Sequence, residues 1–264
     1  MTANFVVSPS SEVFDVQGVR DFLDSRPDAV QIPGDEDTYL LAGHPVAAEH
    51  LLQFWKREKR LPYAAAAFLE PHQIIIHHEY ARRDQEWTAM ELLRWLTKHY
   101  DCRIREDGYA DLTEKARQQG VESLYPADIR DAAPPWHGEL IQLGFFMEVF
   151  DSRGGVMGGN LKDCIADTPQ EDEDKLVAYL QAGRFYRAFG DPEEELYDVL
   201  DTSAEMNIKP ALLTDGTYVW ATDLPYYVAR YHARLPRSFL LHARNHGWQV
   251  PQDLDVSSLK MLDA

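Results

Sequence analysis

Histidine, cysteine and carboxylate side chains are the groups here that could hold a metal or move a proton, and their spacing limits what they can do. His77, His78 and Glu79 are consecutive. On a strand, successive side chains point to opposite faces, so His77 and His78 cannot grip one ion, although His77 and Glu79 share a face. His242 and His246 stand at i and i+4, one face of a helix, but Ala243 occupies the position where the zinc-protease motif needs its catalytic Glu. Their expected use is a solvated helix end, with His246 near the negative pole of the helix dipole. Cys102 and Cys164 are the only cysteines, too few for a disulfide framework or a four-thiolate zinc site. No Gly-x-Ser-x-Gly elbow is present, so nucleophilic catalysis has no motif.

The run Asp151-Ser152-Arg153-Gly154-Gly155-Val156-Met157-Gly158-Gly159-Asn160 lacks the Gly-Lys-Ser/Thr ending of a phosphate loop and the glycine spacing of a dinucleotide fingerprint. It reads as a turn between strands. Asp111 and Asp128 are more simply helix caps than an acid and base pair, because such roles depend on separation and burial. The residues therefore predict no catalytic group, no metal and no cofactor.

Such side chains need a scaffold, and composition says what kind. The chain has 264 residues, 45% apolar and 27% charged, enough for one large or two small folded domains and unlike a disordered chain. Its 26 basic and 44 acidic residues leave a formal charge of −18, which opposes nucleic acid and anionic membrane as direct partners. No apolar run reaches the roughly 20 residues of a bilayer span, and the opening MTANFVVSPSSEVF lacks a signal-peptide pattern, so a cytoplasmic protein is expected.

Periodicity places the elements. Helical spacing covers Val16 to Arg26 and Ala47 to Arg60, the latter ending in the basic run Lys56-Arg57-Glu58-Lys59-Arg60. Strands are expected at 38–42, 63–69, 73–80 and 102–105, and Thr88 with Glu91 reads as a capping box opening a helix toward Tyr100. Ala132-Ala133-Pro134-Pro135 makes 126–136 the linker between an N-terminal module, 1–125, and a C-terminal module, 137–264. In the second, 140–150 reads as one or two strands, 174–182 as a helix ended by Gly183, and 193–200 as another helix. A strand edge at Leu212, a turn at Thr214-Asp215-Gly216 and the strand 217–221 precede helices opened by Asp223 and Pro236. The fold class is α+β, each module a mostly antiparallel sheet with packed helices.

The acid is clustered as Asp35-Glu36-Asp37, Glu171-Asp172-Glu173-Asp174 and Glu193-Glu194-Glu195, solvated runs that are also candidate partner contacts. Trp220, Tyr226, Tyr227, Tyr231, Phe239 and Trp248 read first as core, with Tyr226 and Trp248 the candidates for an exposed aromatic contact.

Two stretches resemble the bacterial immunity proteins encoded beside secreted polymorphic toxins. One is Met90 to Thr113, a Trp-containing helix followed by Cys102-Arg103-Ile104-Arg105-Glu106-Asp107 and Asp111-Leu112-Thr113. The other is Thr214-Asp215-Gly216-Thr217-Tyr218-Val219-Trp220 with Leu224-Pro225-Tyr226-Tyr227-Val228 and Leu235-Pro236-Arg237-Ser238-Phe239-Leu240. These are packing patterns covering about a quarter of the chain, so the resemblance transfers no active residue. It implies an inhibitor that binds a basic cognate toxin and occludes its cleft. A hydrolase reversing a toxin's modification and a non-catalytic regulatory or scaffold protein are the alternative classes.

The ligand spacing gives a first prediction: protein purified without chelators carries less than one equivalent of any transition metal, measured by elemental analysis. One zinc or iron per chain, lost on mutating His77 or His242, would reverse the assignment.

Overall fold

Period-two apolar alternation builds the first sheet. The computed structural model describes residues 4–10, 13–60, 64–77, 83–106, 110–130, 139–150, 160–189 and 196–261. The chain divides into two compact units, Met1–His137 and Gly138–Ala264. In the first, the order is β1 (Phe5–Pro9), α1 (Val16–Asp24), β2 (Ala29–Ile32), β3 (Asp35–Leu41), α2 (Pro45–Glu58), β4 (Ala65–Glu70), β5 (Gln73–His77), α3 (Arg83–His99), β6 (Cys102–Glu106), α4 (Thr113–Gln119) and α5 (Ala127–Arg130). The strands form one sheet, β2-β3-β4-β5-β1-β6, with every neighbouring pair antiparallel.

Register puts Leu41 opposite Ala65, Ala67 opposite Ile76 and Val7 opposite both Ile74 and Ile104. These side chains line one face, packed against Val19 and Leu23 of α1 and Met90, Leu93 and Leu96 of α3. Ile32, Leu40 and Ala66 face the other way, against Leu51 and Trp55 of α2. Alanine is a weak strand former, yet Ala65, Ala66 and Ala67 are buried in β4, where small side chains let helices lie close on both faces.

Two expectations in this unit are corrected. Thr88 does not open a helix, because α3 starts at Arg83; Thr88 is fully buried and its hydroxyl donates to Asp28 Oδ2 at 2.6 Å. The start of the expected linker is not a linker. Pro126 accepts from Ile129 N at 3.0 Å and leads into α5, and Ile129, 1% exposed, belongs to the core. Residues 131–136 lie outside the described residues.

The second unit runs β7 (Glu139–Leu143), α6 (Met147–Phe150), α7 (Glu173–Gln181), β8 (Arg184–Ala188), β9 (Leu196–Tyr197), β10 (Glu205–Ile208), β11 (Ala211–Thr214), β12 (Tyr218–Ala221), α8 (Leu224–Tyr231), α9 (Arg237–Asn245) and β13 (Lys260–Met261). Its sheet is β13-β7-β12-β11-β8, and β9 pairs separately with β10. Strand β7 is parallel to both its neighbours, β13 and β12, while β11 is antiparallel to β12 and β8. The fold class is α+β.

Trp220 of β12 is fully buried. It stacks on Tyr179, meets Phe239 edge-on and donates its indole N–H to Leu180 O at 3.1 Å. This packing adds a second role for Gly183, which follows the end of α7 as the sequence led one to expect. A Cβ there would lie 2.6 Å from the Trp220 ring, so the glycine serves close approach. Two further expectations fail here. The apolar run after Leu143 turns at Gly144 (φ +67) into α6 and does not continue as a strand, and Leu196–Tyr197 is a strand where a helix over 193–200 was expected. Among the described residues, no helix is long and apolar enough to cross a membrane.

Because Ile129 closes the first core, Ile129→Ala is expected to destabilise that unit by about 2–4 kcal/mol. Urea unfolding followed through the first unit's tryptophan fluorescence measures it; a loss under about 0.5 kcal/mol would show that α5 is peripheral.

Candidate functional site

A pair of exposed carboxylates sits on the β2–β3 hairpin. Gly34 at φ +84 makes the turn, and Asp35 orders the tip by accepting from Asp37 N at 3.1 Å and Thr38 Oγ1 at 2.8 Å. Gln31 Nε2 donates to Glu36 O at 3.1 Å. Arg20 of α1 reaches Asp37 Oδ1 at 2.7 Å and lies 3.9 Å from Glu36. The Glu36 and Asp37 side chains are nevertheless 81% and 56% exposed. Local hydrogen bonds thus hold the tip in one shape while its charge faces water.

The run 171–174 is split by the fold. Glu171, with its side chain 83% exposed, and Asp174 face solvent. Asp172, left-handed at φ 58, pairs with Lys175 at 2.8 Å and Arg244 at 3.2 Å. Glu173 is not a surface contact. It is buried, accepts from Gln170 N at 3.1 Å and from His232 Nδ1 at 2.7 Å, and so ties the start of α7 to the end of α8. Glu193, Glu194 and Glu195 lie outside the described residues, as do His78, Glu79 and the glycine run 154–159.

Tyr226 is half-buried on α8 and anchors inward. Its hydroxyl donates to Asp198 Oδ2 at 3.0 Å, as does Tyr231 at 2.5 Å. Asp198 Oδ1 accepts from Leu200 N at 2.8 Å and Asp201 N at 3.2 Å. Arg230 lies over both tyrosine rings and pairs with Asp201 at 2.9 Å. Burial pushes the Asp198 carboxyl up, but the hydrogen bonds outweigh it and hold the group below its ordinary range. Trp248 is half-buried, at φ 58 in the turn after α9, where its N–H donates to Ala243 O at 2.9 Å.

Asp215 is another buried carboxylate. Oδ1 accepts from Thr217 N at 2.8 Å and Tyr218 N at 2.7 Å, closing the β11–β12 hairpin. Oδ2 accepts from Tyr179 OH at 2.8 Å and His242 Nε2 at 3.1 Å, tying that hairpin to α7 and α9. Here too burial raises the group and the donors, His242 first among them, bring it below its usual value. The Asp215–His242 pair thus holds three elements together, and among the described residues no hydroxyl or thiol hydrogen-bonds the His242 ring. His246, ring centroid 4.4 Å from that of His242, turns its Nδ1 to His242 O. Among the described residues, no group of three His, Cys, Asp or Glu side chains could hold a metal ion.

The first unit has a comparable centre in Asp28, fully buried, whose Oδ2 accepts from Thr88 and from Arg26 Nη2 at 2.8 Å. Asp111 Oδ1 accepts from Thr113 N at 2.9 Å at the start of α4, and Asp128 lies in α5. Sequence reasoning missed Asp198 and the inward role of Asp215. The available signal was Tyr226 and Arg230 at i and i+4 along α8, with Tyr231 next to Arg230. No family model, curated protein or solved structure matches the chain.

Two kinds of carboxylate set the pH response. Asp198 and Asp215 have lowered folded values, so they stabilise above the unfolded carboxylate pKa, and that stability is lost as pH falls through the folded values. Asp223 behaves oppositely. Buried at the head of α8 without a side-chain cap bond, it is pushed by desolvation up to about 6. The unfolded chain releases this proton first, so stability falls between about pH 4 and 6 and stays lower above. Asp223→Asn is therefore expected to stabilise the protein by roughly 2–3 kcal/mol at pH 8 and hardly at all at pH 4, read from urea melts at the two pH values. Equal effects at both would show that ionisation is not the cause.

Proposed function

We propose that the chain is a stoichiometric protein inhibitor of the immunity type, acting in the cytoplasm by binding a basic cognate toxin and occluding its cleft. The observation that carries this reading is the Asp35–Asp37 tip. Its carboxylates are exposed, yet the backbone beneath them is ordered by Asp35, Gln31 and Arg20, so binding needs little further ordering. Charge set out this way steers association with a cationic surface and fixes register on it. The excess of 44 acidic over 26 basic residues acts in the same direction. Glu171 offers a second exposed carboxylate in the other unit. The buried carboxylates support the reading from the other side, since Asp198 and Asp215 spend their hydrogen-bonding capacity on the fold.

The test is co-expression with the product of the adjacent gene, together with stopped-flow association. Glu36→Gln with Asp37→Asn is expected to slow association about tenfold at low salt and to raise the amount of protein needed for half-protection. The melting temperature should move by no more than about 2 °C, because exposed charges contribute little to folding. Protection at substoichiometric protein would instead assign a hydrolase, and failure to bind the neighbouring product at any salt concentration would remove the inhibitor class.

A further inference from the structure

The two faces of the first sheet are covered unequally. One face, carrying Phe5, Val7, Ile74, Ile76 and Ile104, is buried in the core with α1 and α3. On the other, Leu51 and Trp55 of α2 reach Ile32, Leu40, Ala66 and Phe68, which lie on β2, β3 and β4. Val6 on β1 and Ile75 on β5 belong to neither core and stay half-exposed, and Arg103 and Arg105 on β6 are exposed. Among the described residues, neither arginine side chain makes an ion pair or a hydrogen bond. Register arranges this area in two rows. Phe68, Ile75, Val6 and Arg105 stand side by side across β4, β5, β1 and β6, and Asp111 is bridged to Arg105 beyond the edge. One pleat along, Glu70 pairs with Gln73 on the β4 side and Ser8 with Arg103 on the β6 side. Glu70 is exposed, its carboxylate accepting from Gln73 Nε2 at 3.0 Å. The patch is therefore apolar in the middle, basic toward β6 and acidic at the far corner on β4.

We infer that this face is the interface of a symmetric dimer, its occupant a second copy of the chain. A two-fold axis between the two sheets, parallel to the strands and midway between β5 and β1, sets β6 of one copy over β4 of the other. Arg103 then faces the partner's Glu70, Arg105 lies over the ring of the partner's Phe68, and Val6 meets the partner's Ile75, each contact occurring twice. Charge on these strands favours this occupant over others. Two arginines stand against two carboxylates, Glu70 and Asp111, and His77, opposite Ala66, is the remaining titratable side chain on the face. The carboxylates oppose a polyanion and the arginines oppose a cationic surface, whereas a second copy satisfies both. Sheets stack about 10 Å apart, the thickness of the layer α2 already occupies, so the second sheet continues that layer beside the helix. Four strands about 4.8 Å apart, with roughly five residues each at about 3.3 Å, make a footprint of roughly 300 Å². That is small for a permanent dimer and suits a transient one, with Kd of about 10–100 μM. The dimer is independent of the inhibitor reading, and the Asp35–Asp37 tip lies outside the patch.

Sedimentation velocity on the full-length protein, over about 5 to 500 μM to span that Kd, tests the dimer. The expected result is a sedimentation coefficient that rises with concentration to that of a dimer and no further. Arg103→Glu alone and Glu70→Arg alone should each weaken association at least about tenfold, since each puts like charges face to face at both symmetric contacts. Mixing the two variants should restore association to within about threefold of wild type, because the mixed pair again sets opposite charges together at both contacts. Ile75→Lys should abolish association while a thermal melt shows the variant folded. A monomer at every concentration, or assembly that grows past the dimer, would overturn the proposal. So would a dimer indifferent to Arg103→Glu and Ile75→Lys, or charge variants that stay apart when mixed. A monomer in which Ile75→Lys weakens binding of the adjacent gene's product would give the face to that partner and overturn the dimer as well. Arg103 and Glu70 are both exposed, so the charge variants test the surface and not the fold, and the mixing result stands even where Ile75→Lys does not fold.

Discussion

A carboxylate removed from water keeps its charge at low cost only where other donors replace the water it loses, and this constraint organises much of the protein. Asp215 collects two backbone N–H groups, a tyrosine hydroxyl and a histidine, and in doing so joins the β11–β12 hairpin to α7 and α9. Asp198 does the same for the 198–201 turn and α8. Asp28 fixes the turn after α1 to α3 through Thr88. Around the first of these packs the aromatic cluster of Tyr179, Tyr218, Trp220 and Phe239. Removing one partner would leave the others as buried polar atoms without compensation, so these networks are all-or-none in character.

The same constraint divides the acidic excess into two populations. Glu173, Asp198 and Asp215 are inside and serve the fold, whereas Glu36, Asp37 and Glu171 keep their hydration. Net charge counts both equally, yet only the second population is available to a partner. A hydrated carboxylate on an ordered hairpin can exchange water for a cationic surface at small cost, whereas a buried one would first have to give up the donors that hold its own fold together.

The cations are similarly divided. Arg20, Arg117 and Arg244 each pair with carboxylates of other elements, and Arg26 stacks on Phe22 and Trp87 while holding Asp28. At the end of α2, Arg57 and Arg60 lie over Phe54 and Lys59 over Trp55, so that basic run is a stacked, solvated helix end. Arg103 and Arg105 on β6 differ in making no ion pair among the described residues.

Periodicity and turn chemistry by themselves determined the α+β class, the helices α1, α2, α7, α8 and α9 to within a few residues, and the hairpin at Thr214-Asp215-Gly216. These rest on contacts between near neighbours, which spacing encodes directly. Tertiary structure decided the rest. Thr88 carried a local capping signature, but a buried aspartate sixty positions away took its hydroxyl. Gly183 looked like a helix stop and is required by the bulk of Trp220. Glu173 sat in a run of four acids identical in charge, and only the fold turned it toward His232 while leaving Glu171 in water. Each outcome depends on what lies across the core, and desolvation of a polar group is a property of its surroundings in space that its neighbours in the chain do not specify.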